Sequence, residues 1–504
     1  MFISARYLCP ETIYSDIMSD RLGLTVGKGE DFSEWYTQVV QKAELADVRY
    51  NVKGFVVFRP WAVQTMNRMF QLLEVELERK GHLPVLFPAL IPESNFQLES
   101  EHIKGFLPEV FWVTESGGDS ERLEERLALR PTSETAMYKM YSLWVRSWRD
   151  LPLKLYQRCQ VWRYEGKATR PFIRGREFYW IETHDAFASL EEALGQVGED
   201  METTERVVHE GYCVPFLFFE RPEHDKFAGA LHTYAADTLM PDGRALQLPS
   251  THLLGQNFSR PFGIKFLDRA EAEQFVWQTC YGPSVSRMIA AVIGVHGDDR
   301  GLVLPPRIAP VQVVVVPIFS ARVGNERVLA ACEGARSLLE GVEVRVRVDG
   351  REEYTPGWKF NHWELRGVPV RVEVGPRDIE RGQVVLVRRD TGEHQAVAVD
   401  GLVSVVKDLL GKVQENLRAK ADQFFEANVR GAGSFEELKR ILGSVGGFVR
   451  ISWCGRVECA EEMKVETNGG TIRGTLYGRE ERAEGQCVHC TREATSVVYV
   501  SKQY

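Results

Sequence analysis

The sequence predicts a multidomain α/β protein. Its 504 residues are enough for about two to four domains, and 44% hydrophobic with 26% charged residues is ordinary for a soluble globular chain. Two strand patterns form a hairpin between residues 156 and 184, and strands alternate with helices between residues 311 and 374. Four cysteines lie near the end of the chain. These three features indicate several folded units in one chain.

Composition excludes some functions. The formal net charge of -9 argues against a generally basic nucleic-acid coat, so an RNA partner would have to meet local basic patches such as residues 154–176. Nine cysteines are an odd number, and five of them are scattered without a framework spacing, which is typical of a reducing compartment. No apolar run has transmembrane length, and residues 1–6 lack a secretory pattern. We therefore expect a cytoplasmic protein without a membrane partner.

The first clear unit is a helix followed by a strand and a proline. Apolar residues recur at helical spacing from Ala62 to Lys80, which predicts an amphipathic helix. A strand follows Gly81 and ends at Leu90, with Pro88 near its end. Many proteins contain this order of elements, so it gains meaning only beside the other motifs.

The hairpin carries cations, carboxylates and aromatic rings. Arg163 and Glu165 are two residues apart, which puts their side chains on the same face of a strand. A basic loop at 166–171 leads into a second strand that runs to His184. An arginine fork holds a phosphate bidentately, and a neighbouring carboxylate accepts from an exocyclic amine such as adenine's. The pattern predicts nucleotide binding, with a surface hairpin of cross-strand ion pairs as the alternative.

Two further segments contain charged residues beside predicted helices. Thr132 and Glu134 precede an amphipathic helix, where such residues serve either as a helix cap or as a ligand-binding loop. Arg287 opens an apolar helix, where its charge opposes the helix dipole and so indicates a nearby anion. A surface salt bridge is the alternative for Arg287.

The second half of the chain predicts two smaller units joined by a helix. Valine-rich strands alternate with helices from Val311 to Val374, which is typical of a small α/β domain with a mixed sheet. A helix is expected over Leu402–Val429. The spacing Cys454-x4-Cys459 and Cys487-x2-Cys490 predicts a structural zinc site, because four thiolates close a tetrahedral shell. Disulfides, and a zinc module that binds nucleic acid by itself, are the alternatives.

The signature Arg-x-Glu, loop, Arg-x-x-x-Phe of the hairpin resembles motif 2 of class II aminoacyl-tRNA synthetases, and its wording is similar to prolyl-tRNA synthetases of the archaeal and eukaryotic type. The resemblance covers nearly the whole chain. It implies a catalytic domain on an antiparallel sheet, an α/β anticodon-binding domain and a C-terminal α+β zinc domain. We expect the boundaries to be 1–45 for an N-terminal segment, 46–308 for the catalytic domain, 309–408 for the anticodon-binding domain, 409–442 for a helical linker and 443–504 for the zinc domain.

The resemblance also implies a reaction and its residues. The reaction is ATP-dependent activation of L-proline and transfer to tRNA(Pro), with Mg²⁺ bound to ATP, a structural Zn²⁺ and a homodimer formed through the helix and strand that end near Pro88. The implied catalytic residues are Arg163 and Arg287. Those implied for proline are Thr132, Glu134, Arg163, Trp180, Glu182, His184, Thr251 and His252. Those for ATP are Arg163, Glu165, Arg174, Phe178, Gln247 and Arg287. For tRNA they are Lys359, Glu364 and Arg377, for zinc Cys454, Cys459, Cys487 and Cys490, and Tyr504 is expected near the active site.

The sequence departs from the family pattern in the pocket. Ile181 and Thr183 stand where a polar residue and a glycine are usual, and Ser250-Thr251 replaces the usual Thr-Ser. Alternatives are therefore a paralogue that activates a proline-like amino acid, an inhibitor-resistant duplicate, or a catalytically idle tRNA-binding homologue. The segment from Asp185 to Arg244 is too short for a domain-sized editing insertion, so we expect no hydrolytic editing in cis.

Overall fold

The computed structural model describes residues 23–97, 110–117, 121–319 and 325–504. About half of the predicted N-terminal segment 1–45, residues 1–22, lies outside these ranges. Among the described helices, none combines the length and the apolarity needed to cross a membrane. The elements up to residue 296 are α1 (Phe32–Lys42), β1 (Ala46–Asp47), β2 (Val57–Phe58), α2 (Pro60–Arg79), β3 (Leu83–Pro84), β4 (Leu90–Pro92), α3 (Glu93–Gln97), β5 (Phe111–Glu115), β6 (Arg122–Leu129), α4 (Glu134–Trp144), β7 (Leu153–Trp162), β8 (Glu177–Phe187), α5 (Leu190–Thr204), β9 (Leu217–Glu220), β10 (His232–Leu239), β11 (Ala245–Gly255), α6 (Ser259–Phe262), β12 (Lys265–Leu267), β13 (Glu273–Phe275), β14 (Trp277–Tyr281) and α7 (Val285–His296).

The remaining elements form a small α/β unit and a C-terminal unit. They are β15 (Val313–Pro317), α8 (Asn325–Glu340), β16 (Val346–Val348), α9 (Pro356–Leu365), β17 (Val370–Val374), α10 (Pro376–Glu380), β18 (Gln383–Arg388), β19 (His394–Ala398), α11 (Leu402–Ala427), β20 (Val429–Gly431), α12 (Phe435–Ser444), β21 (Phe448–Trp453), α13 (Val457–Glu466), β22 (Gly470–Leu476) and β23 (Ser496–Lys502). The helix predicted from Ala62 begins two residues earlier in α2, because Pro60 occupies the first helical position, where a missing N–H is tolerated.

One large sheet joins strands of residues 83–281 with the C-terminal strands β20 to β23. Its strand order is β20-β21-β23-β22-β9-β10-β11-β14-β8-β7-β3, with antiparallel pairing except at β20–β21 and β3–β7. Helices α2 and α7 pack with the sheet in one apolar core that includes Met69, Phe70, Met288 and Ile289. The structure confirms the antiparallel-sheet fold class.

The predicted hairpin is formed by β7 and β8. Its register pairs Leu153 with Ala186 at one end and Trp162 with Glu177 at the other. Arg163 follows directly after β7 and donates its backbone N–H to the carbonyl of Arg176, at 3.0 Å. The hairpin thus continues by one pair past the last ladder residue and presents residues 163–176 at the edge of a cavity.

A small mixed sheet organises residues 313–398. Its order is β16-β15-β17-β18-β19, with the first three strands parallel and the last two antiparallel to their neighbours. Helices α8 and α11 cover it around a valine-rich core that contains Val313, Val315, Val370 and Val372. The prediction of a small α/β unit with a mixed sheet is confirmed.

The C-terminal strands extend the large sheet. Strand β22 pairs with β9 antiparallel, with Thr475 opposite Glu220 and Leu476 opposite Phe219. Sequence patterns do not predict this connection, because it joins strands about 250 residues apart whose pairing depends on tertiary packing. Residues 429–504 are therefore attached to the sheet that carries the hairpin.

Candidate active site

The arginine that follows β7 is held at the meeting point of two pockets. The Nε of Arg163 donates to the carbonyl of Pro131 at 3.0 Å, and its guanidinium lies 5.3 Å from the ring centre of Phe178 and 5.5 Å from that of Trp180. The rings on β8 and the loop before α4 thus fix the guanidinium in one position. Arg163 lines both pockets described below.

The main cavity has a volume of about 280 Å³ and opens beside the hairpin. It brings together most of the predicted site residues: Thr132, Glu134, Arg163, Phe178, Trp180, Glu182, His184, Gln247, His252 and Arg287. A smaller side pocket is lined by Arg163, Glu165, Arg174, Phe178 and Arg287. Residues from the motif 2 hairpin, β11 and α7 therefore converge, although they are far apart in the chain.

The side pocket contains an ion pair on the hairpin. Arg174 Nη1 lies 2.9 Å from Glu165 Oε2, and both side chains are about one-fifth exposed. Arg174 Nη2 also donates to the carbonyl of Tyr504 at 3.0 Å. The cross-strand ion pair of the alternative interpretation is thus present, but it lies inside a pocket that also contains Arg163 and Arg287. Both residues therefore line the side pocket, and their binding of ATP stays a prediction.

Arg287 lies in the first turn of α7 and faces other cations. Burial, and then the nearby guanidinium groups of Arg174 and Arg163, lower its pKa to about 10. Its Nε donates to the carbonyl of Ile173 at 3.3 Å, and among the described residues no carboxylate lies within ion-pair distance of it. The surface salt bridge proposed as an alternative is not observed. Three guanidinium groups around one pocket favour a polyanionic ligand.

The floor of the main cavity is a buried polar network centred on Glu182. The carboxylate accepts from Ser133 Oγ at 2.5 Å, Gln157 Nε2 at 2.8 Å and His184 Nε2 at 3.1 Å. Burial alone would raise the pKa of Glu182, but the hydrogen bonds, first that of His184, outweigh it and lower the pKa to about 2. Burial alone would lower the pKa of His184, but the hydrogen bond to Glu182 and the nearby carboxylate charges outweigh the burial and raise the pKa. The pair is an internal anchor that fixes the shape of the cavity.

The side chains of the loop before α4 form hydrogen bonds within this network and do not cap the helix. Ser133 is the N-cap residue of α4 but makes no side-chain capping bond there. Thr132 Oγ1 instead donates to Glu134 Oε2 at 2.5 Å, and Glu134 is 4% exposed. Of the two interpretations of this motif, the structure favours the ligand-binding loop, with Glu134 as a buried carboxylate in the cavity wall.

Strand β11 corrects one predicted residue. Thr251 donates its hydroxyl to Asp200 Oδ2 on α5 at 2.6 Å and does not line the cavity, whereas Ser250 and His252 do. Successive residues of a strand point to opposite faces, so 250 and 252 share the cavity face and 251 cannot. The predicted substrate contact of Thr251 is contradicted by this placement. Burial and the charges of Arg221, His184 and Arg163 lower the pKa of His252 to about 3, so its imidazole is neutral.

Sequence reasoning missed a buried triad on the opposite wall. Asp237 Oδ1 accepts from Arg221 Nη2 at 2.8 Å, and Asp237 Oδ2 accepts from Arg473 Nε at 2.8 Å. Arg473 Nη1 also donates to Gln503 Oε1 at 2.6 Å, and Arg221, Arg473 and Gln503 all line the main cavity. Burial alone would raise the pKa of Asp237, but the guanidinium groups of Arg221 and Arg473 outweigh the burial and lower it. No local motif marks Arg473 or Gln503, because Arg473 reaches the cavity through the pairing of β22 with β9 and Gln503 through a bridge to Ala245 of β11.

Comparisons with known proteins agree with this geometry. Residues 111–296 match the class II tRNA synthetase core domain (G, H, P, S and T), residues 312–409 an anticodon binding domain, and residues 435–504 the C-terminal domain of prolyl-tRNA synthetase. A protein of Thermofilum pendens named proline-tRNA ligase is 54% identical over 482 residues, which cover 96% of this chain and 99% of that protein. The chain belongs to the prolyl-tRNA synthetase family. It is therefore an aminoacyl-tRNA synthetase of class II.

Two other relatives extend the likeness. A proline-tRNA ligase of Cenarchaeum symbiosum is 45% identical over 96% of this chain and 100% of that protein. Among solved structures, Giardia lamblia prolyl-tRNA synthetase in complex with prolyl-adenylate superposes with a TM-score of 0.90 at 36% identity, over 94% of this chain and 98% of that chain. The archaeal and eukaryotic-type resemblance is confirmed.

The cysteines of the family's C-terminal domain form one cluster. The four Sγ atoms lie within 4.8 Å of one another, with 3.7 Å between Cys459 and Cys487 and 3.4 Å between Cys454 and Cys490. A tetrahedral zinc with Zn–S bonds of about 2.3 Å places its sulfurs about 3.8 Å apart. The donor set and its spacing are thus compatible with a structural zinc ion, and these four thiols are free of disulfides.

The three residues predicted for tRNA lie in different environments. Arg377 on α10 is exposed, and Glu364 on α9 pairs with Arg371 at 3.1 Å. Lys359 is fully buried, and its ammonium donates to the carbonyl of Asp349 at 3.1 Å. A direct RNA contact by Lys359 is contradicted by this burial, because its ammonium is inaccessible from the surface and already donates a hydrogen bond inside the domain.

Proposed function

We propose that the chain activates L-proline with ATP and transfers the prolyl group to tRNA(Pro). The observation that carries this proposal is the position of Arg163 at the junction of the main cavity and the side pocket. An amino acid in the first and a nucleotide in the second would place the carboxylate beside the α-phosphate at this guanidinium. The family relation adds support, since relatives are named proline-tRNA ligase and one was solved with prolyl-adenylate.

In the first step a carboxylate oxygen of proline attacks the α-phosphorus, the new bond is O–P, and pyrophosphate leaves with the electrons of the broken P–O bond. The nucleophile is already ionised, so no protein general base is needed. Arg163, Arg174 and Arg287 offset the charge that develops on the phosphoryl oxygens, and Mg²⁺ enters with ATP as part of the substrate. Catalysis is then positioning and charge neutralisation.

The main cavity suits the amino acid. Glu134 offers a buried carboxylate to the secondary ammonium of proline, and the flat indole of Trp180 offers a surface to the pyrrolidine ring. Phe178 and Glu165 would hold the adenine in the side pocket. In the second step the terminal ribose hydroxyl of tRNA attacks the carbonyl, and adenylate leaves.

The test is pyrophosphate exchange in the Arg163→Ala variant. Loss of one preorganised donor that faces the developing charge costs a factor of roughly 10²–10³ in rate. Arg158→Ala is the matched control, because Arg158 lies on β7, the strand that leads into Arg163. Its side chain is exposed, lies over the ring of Phe70 at 4.0 Å and does not line the cavity. Near-normal exchange in Arg163→Ala would remove the assigned role.

A second candidate is activation of a proline-like amino acid. Thr183 and Ser250, two of the positions that depart from the family pattern, both line the main cavity. Ile181 does not, since it is fully buried in the core. An exchange panel of proline, alanine, cysteine and cyclic analogues decides between the candidates, because a hydrophobic pocket distinguishes one methylene by about 1–3 kcal/mol.

The remaining parts of the proposal concern assembly. Zn²⁺ would be held by Cys454, Cys459, Cys487 and Cys490 and would stabilise the C-terminal domain. Glu364 and Arg377 would contact the tRNA anticodon, α2 and the strand region after it would form the homodimer interface, and the enzyme would work in the cytoplasm. The expected domain boundaries at residues 46, 309, 409 and 443 belong to the same proposal.

A further inference from the structure

A second large cavity lies where the start of α2 meets the small α/β unit. Its volume is about 370 Å³, and it is separate from the candidate active site. Residues from both units line it, including Arg59 and Glu44 from the first and Arg347, Arg351 and Arg366 from the second. We call it the arginine cavity. None of the residues assigned above to proline, ATP or tRNA lines it.

The arginine cavity is on the opposite side of α9 from the predicted tRNA residue Glu364. His362 lines the cavity and Glu364 pairs with Arg371 elsewhere. Residues two positions apart in a helix, such as His362 and Glu364, point about 200° apart around the axis, so the two side chains face different surfaces. A ligand of the arginine cavity therefore occupies a site different from the one proposed around Glu364.

Positive charge in the cavity exceeds negative charge. Four arginines (Arg59, Arg347, Arg351, Arg366) face two carboxylates (Glu44, Asp349), which leaves a formal excess of two positive charges. Glu44 is shared between Arg59, at 3.0 Å, and Arg366.

The second carboxylate is satisfied from within the domain. The side chain of Asp349 is 1% exposed, and it accepts from Arg351 at 2.7 Å and from the indole of Trp363 at 2.8 Å. Arg347 is exposed and lies over the ring of Trp363 at 5.4 Å, and in the described ranges no carboxylate is within 4 Å of its guanidinium. One excess positive charge thus lies on Arg347, and the other is shared by Arg59 and Arg366, which have the single carboxylate of Glu44 between them.

The helix that begins at the cavity adds to the positive potential. Pro60 and Trp61, the first residues of the 20-residue helix α2, line the cavity. Arg59 at the N-cap makes no side-chain capping bond, and the first turn contains no acidic residue. Helix α2 itself therefore supplies no acidic residue that offsets the partial positive charge of its start, and Glu44 is the carboxylate that lies beside Arg59. Burial and the charges of Arg366 and Arg351 also lower the pKa of His362 to about 3, so this imidazole is neutral.

A stack of aromatic rings continues outward from the cavity residue His362. Tyr354 and Trp358 stack at 3.8 Å, Trp358 stacks on His362 at 4.8 Å, and Arg351 lies over both Tyr354 and Trp358 at 5.0 Å. A stack of rings and guanidinium groups beside a cationic cavity offers a surface to an unpaired base and a place for the phosphate next to it. This favours RNA over a free phosphate as the natural source of the anion.

We propose that the arginine cavity binds a phosphate group, supplied by the backbone of tRNA or by a free phosphate such as pyrophosphate. The tRNA source rests on the proposed function, while the phosphate chemistry does not. In an enzyme of net charge -9, such a local patch lets a polyanion bind between the two units. Binding there would also hold the anticodon-binding unit and the catalytic unit in a fixed relation.

The test compares the variants Arg347→Gln and Arg59→Gln with the unchanged protein. Arg347→Gln removes a cation that has no carboxylate partner in the described structure, so it leaves no buried charge behind. Arg336→Gln is the matched control, because Arg336 is exposed on α8 of the same unit and pairs with Glu333 at 2.6 Å. Binding of a tRNA(Pro) transcript is measured over a range of salt concentrations, and binding of inorganic pyrophosphate is measured by calorimetry.

For a tRNA source, we expect each cavity variant to weaken tRNA binding several-fold and to lower the slope of log K against log salt by about 1, while the control does neither. For a free-phosphate source, pyrophosphate binding outside the active site weakens and tRNA binding is unchanged, which still supports the phosphate site. Unchanged binding of both ligands in both variants overturns the proposal. Absence of proline-dependent exchange in the unchanged protein would instead refute the proposed function, and the binding measurements would still decide the cavity.

Discussion

The buried triad of Arg221, Asp237 and Arg473 gives a prediction whose sign and size follow from charge counting. The side chains are 2%, 0% and 3% exposed, so solvent screens them little. Arg473→Met removes one of two cations and leaves Asp237 paired with Arg221 at 2.8 Å. The variant loses charge-assisted hydrogen bonds but leaves no unpaired charge, which predicts a cost of about 2 kcal/mol. Asp237→Asn leaves two buried guanidinium groups without a counter-ion, which predicts about 3–5 kcal/mol or more.

The assay is hydrogen exchange of the β22 and β23 amides, because a chain with several units does not unfold in one step and a local probe is needed. Protection should fall more in Asp237→Asn than in Arg473→Met. Arg450→Met is the control, since Arg450 on β21 is about half exposed and pairs with Glu481 in the connection between β22 and β23, and it should cost less than 1 kcal/mol. Equal effects of the two triad variants, or a larger effect of Arg473→Met, would refute the charge argument.

Two other predictions concern pH and metal. Burial and then the neighbouring Asp185 raise the pKa of Asp200 from 3.8 to about 7. The folded state therefore keeps a proton that the unfolded state releases near pH 4, so the stability of the protein relative to Asp200→Asn should fall as pH rises from about 4 to 7, by on the order of 4 kcal/mol, and level off above. Melting temperatures across this range measure it, and a pH-independent difference would contradict the assignment. For the cysteine cluster, mass spectrometry under native conditions should find one zinc per chain, and Cys487→Ser should lose both the metal and thermal stability. A metal-free chain of unchanged stability would argue against a structural ion.

Local patterns were enough to predict the elements that act through neighbouring residues. The alternation of β7 and β8 indicated the hairpin, and residue spacing placed Arg163 and Glu165 together, because a strand has a fixed period of two. The same period, applied to β11, would have separated Ser250 and His252 from Thr251. The resemblance assigned Thr251 to the pocket instead, and the hydrogen bond to Asp200 shows why this failed.

Contacts between distant parts of the chain could not be predicted in this way. Arg473 enters the main cavity because β22 joins β9, and Gln503 enters it because the residue after β23 bridges to Ala245 of β11. Strand pairing at such separation depends on packing rather than on a motif. Lys359 was predicted to contact RNA because it lies among aromatic residues, but its side chain is buried, as is that of Trp363, whereas Tyr354 and Trp358 remain partly exposed. Lys359 on α9 can be buried because its ammonium donates to the carbonyl of Asp349.

The pairing of β22 with β9 also sets how this chain can be shortened. Phe219 on β9 is fully buried and packs against the rings of Phe448 at 5.2 Å and Tyr499 at 5.4 Å. Deleting residues 429–504 would strip both rings from Phe219 and leave β9 as a bare sheet margin with unsatisfied backbone groups. Such margins recruit strands from other molecules, so a truncated version is expected to precipitate during expression instead of yielding a smaller soluble enzyme.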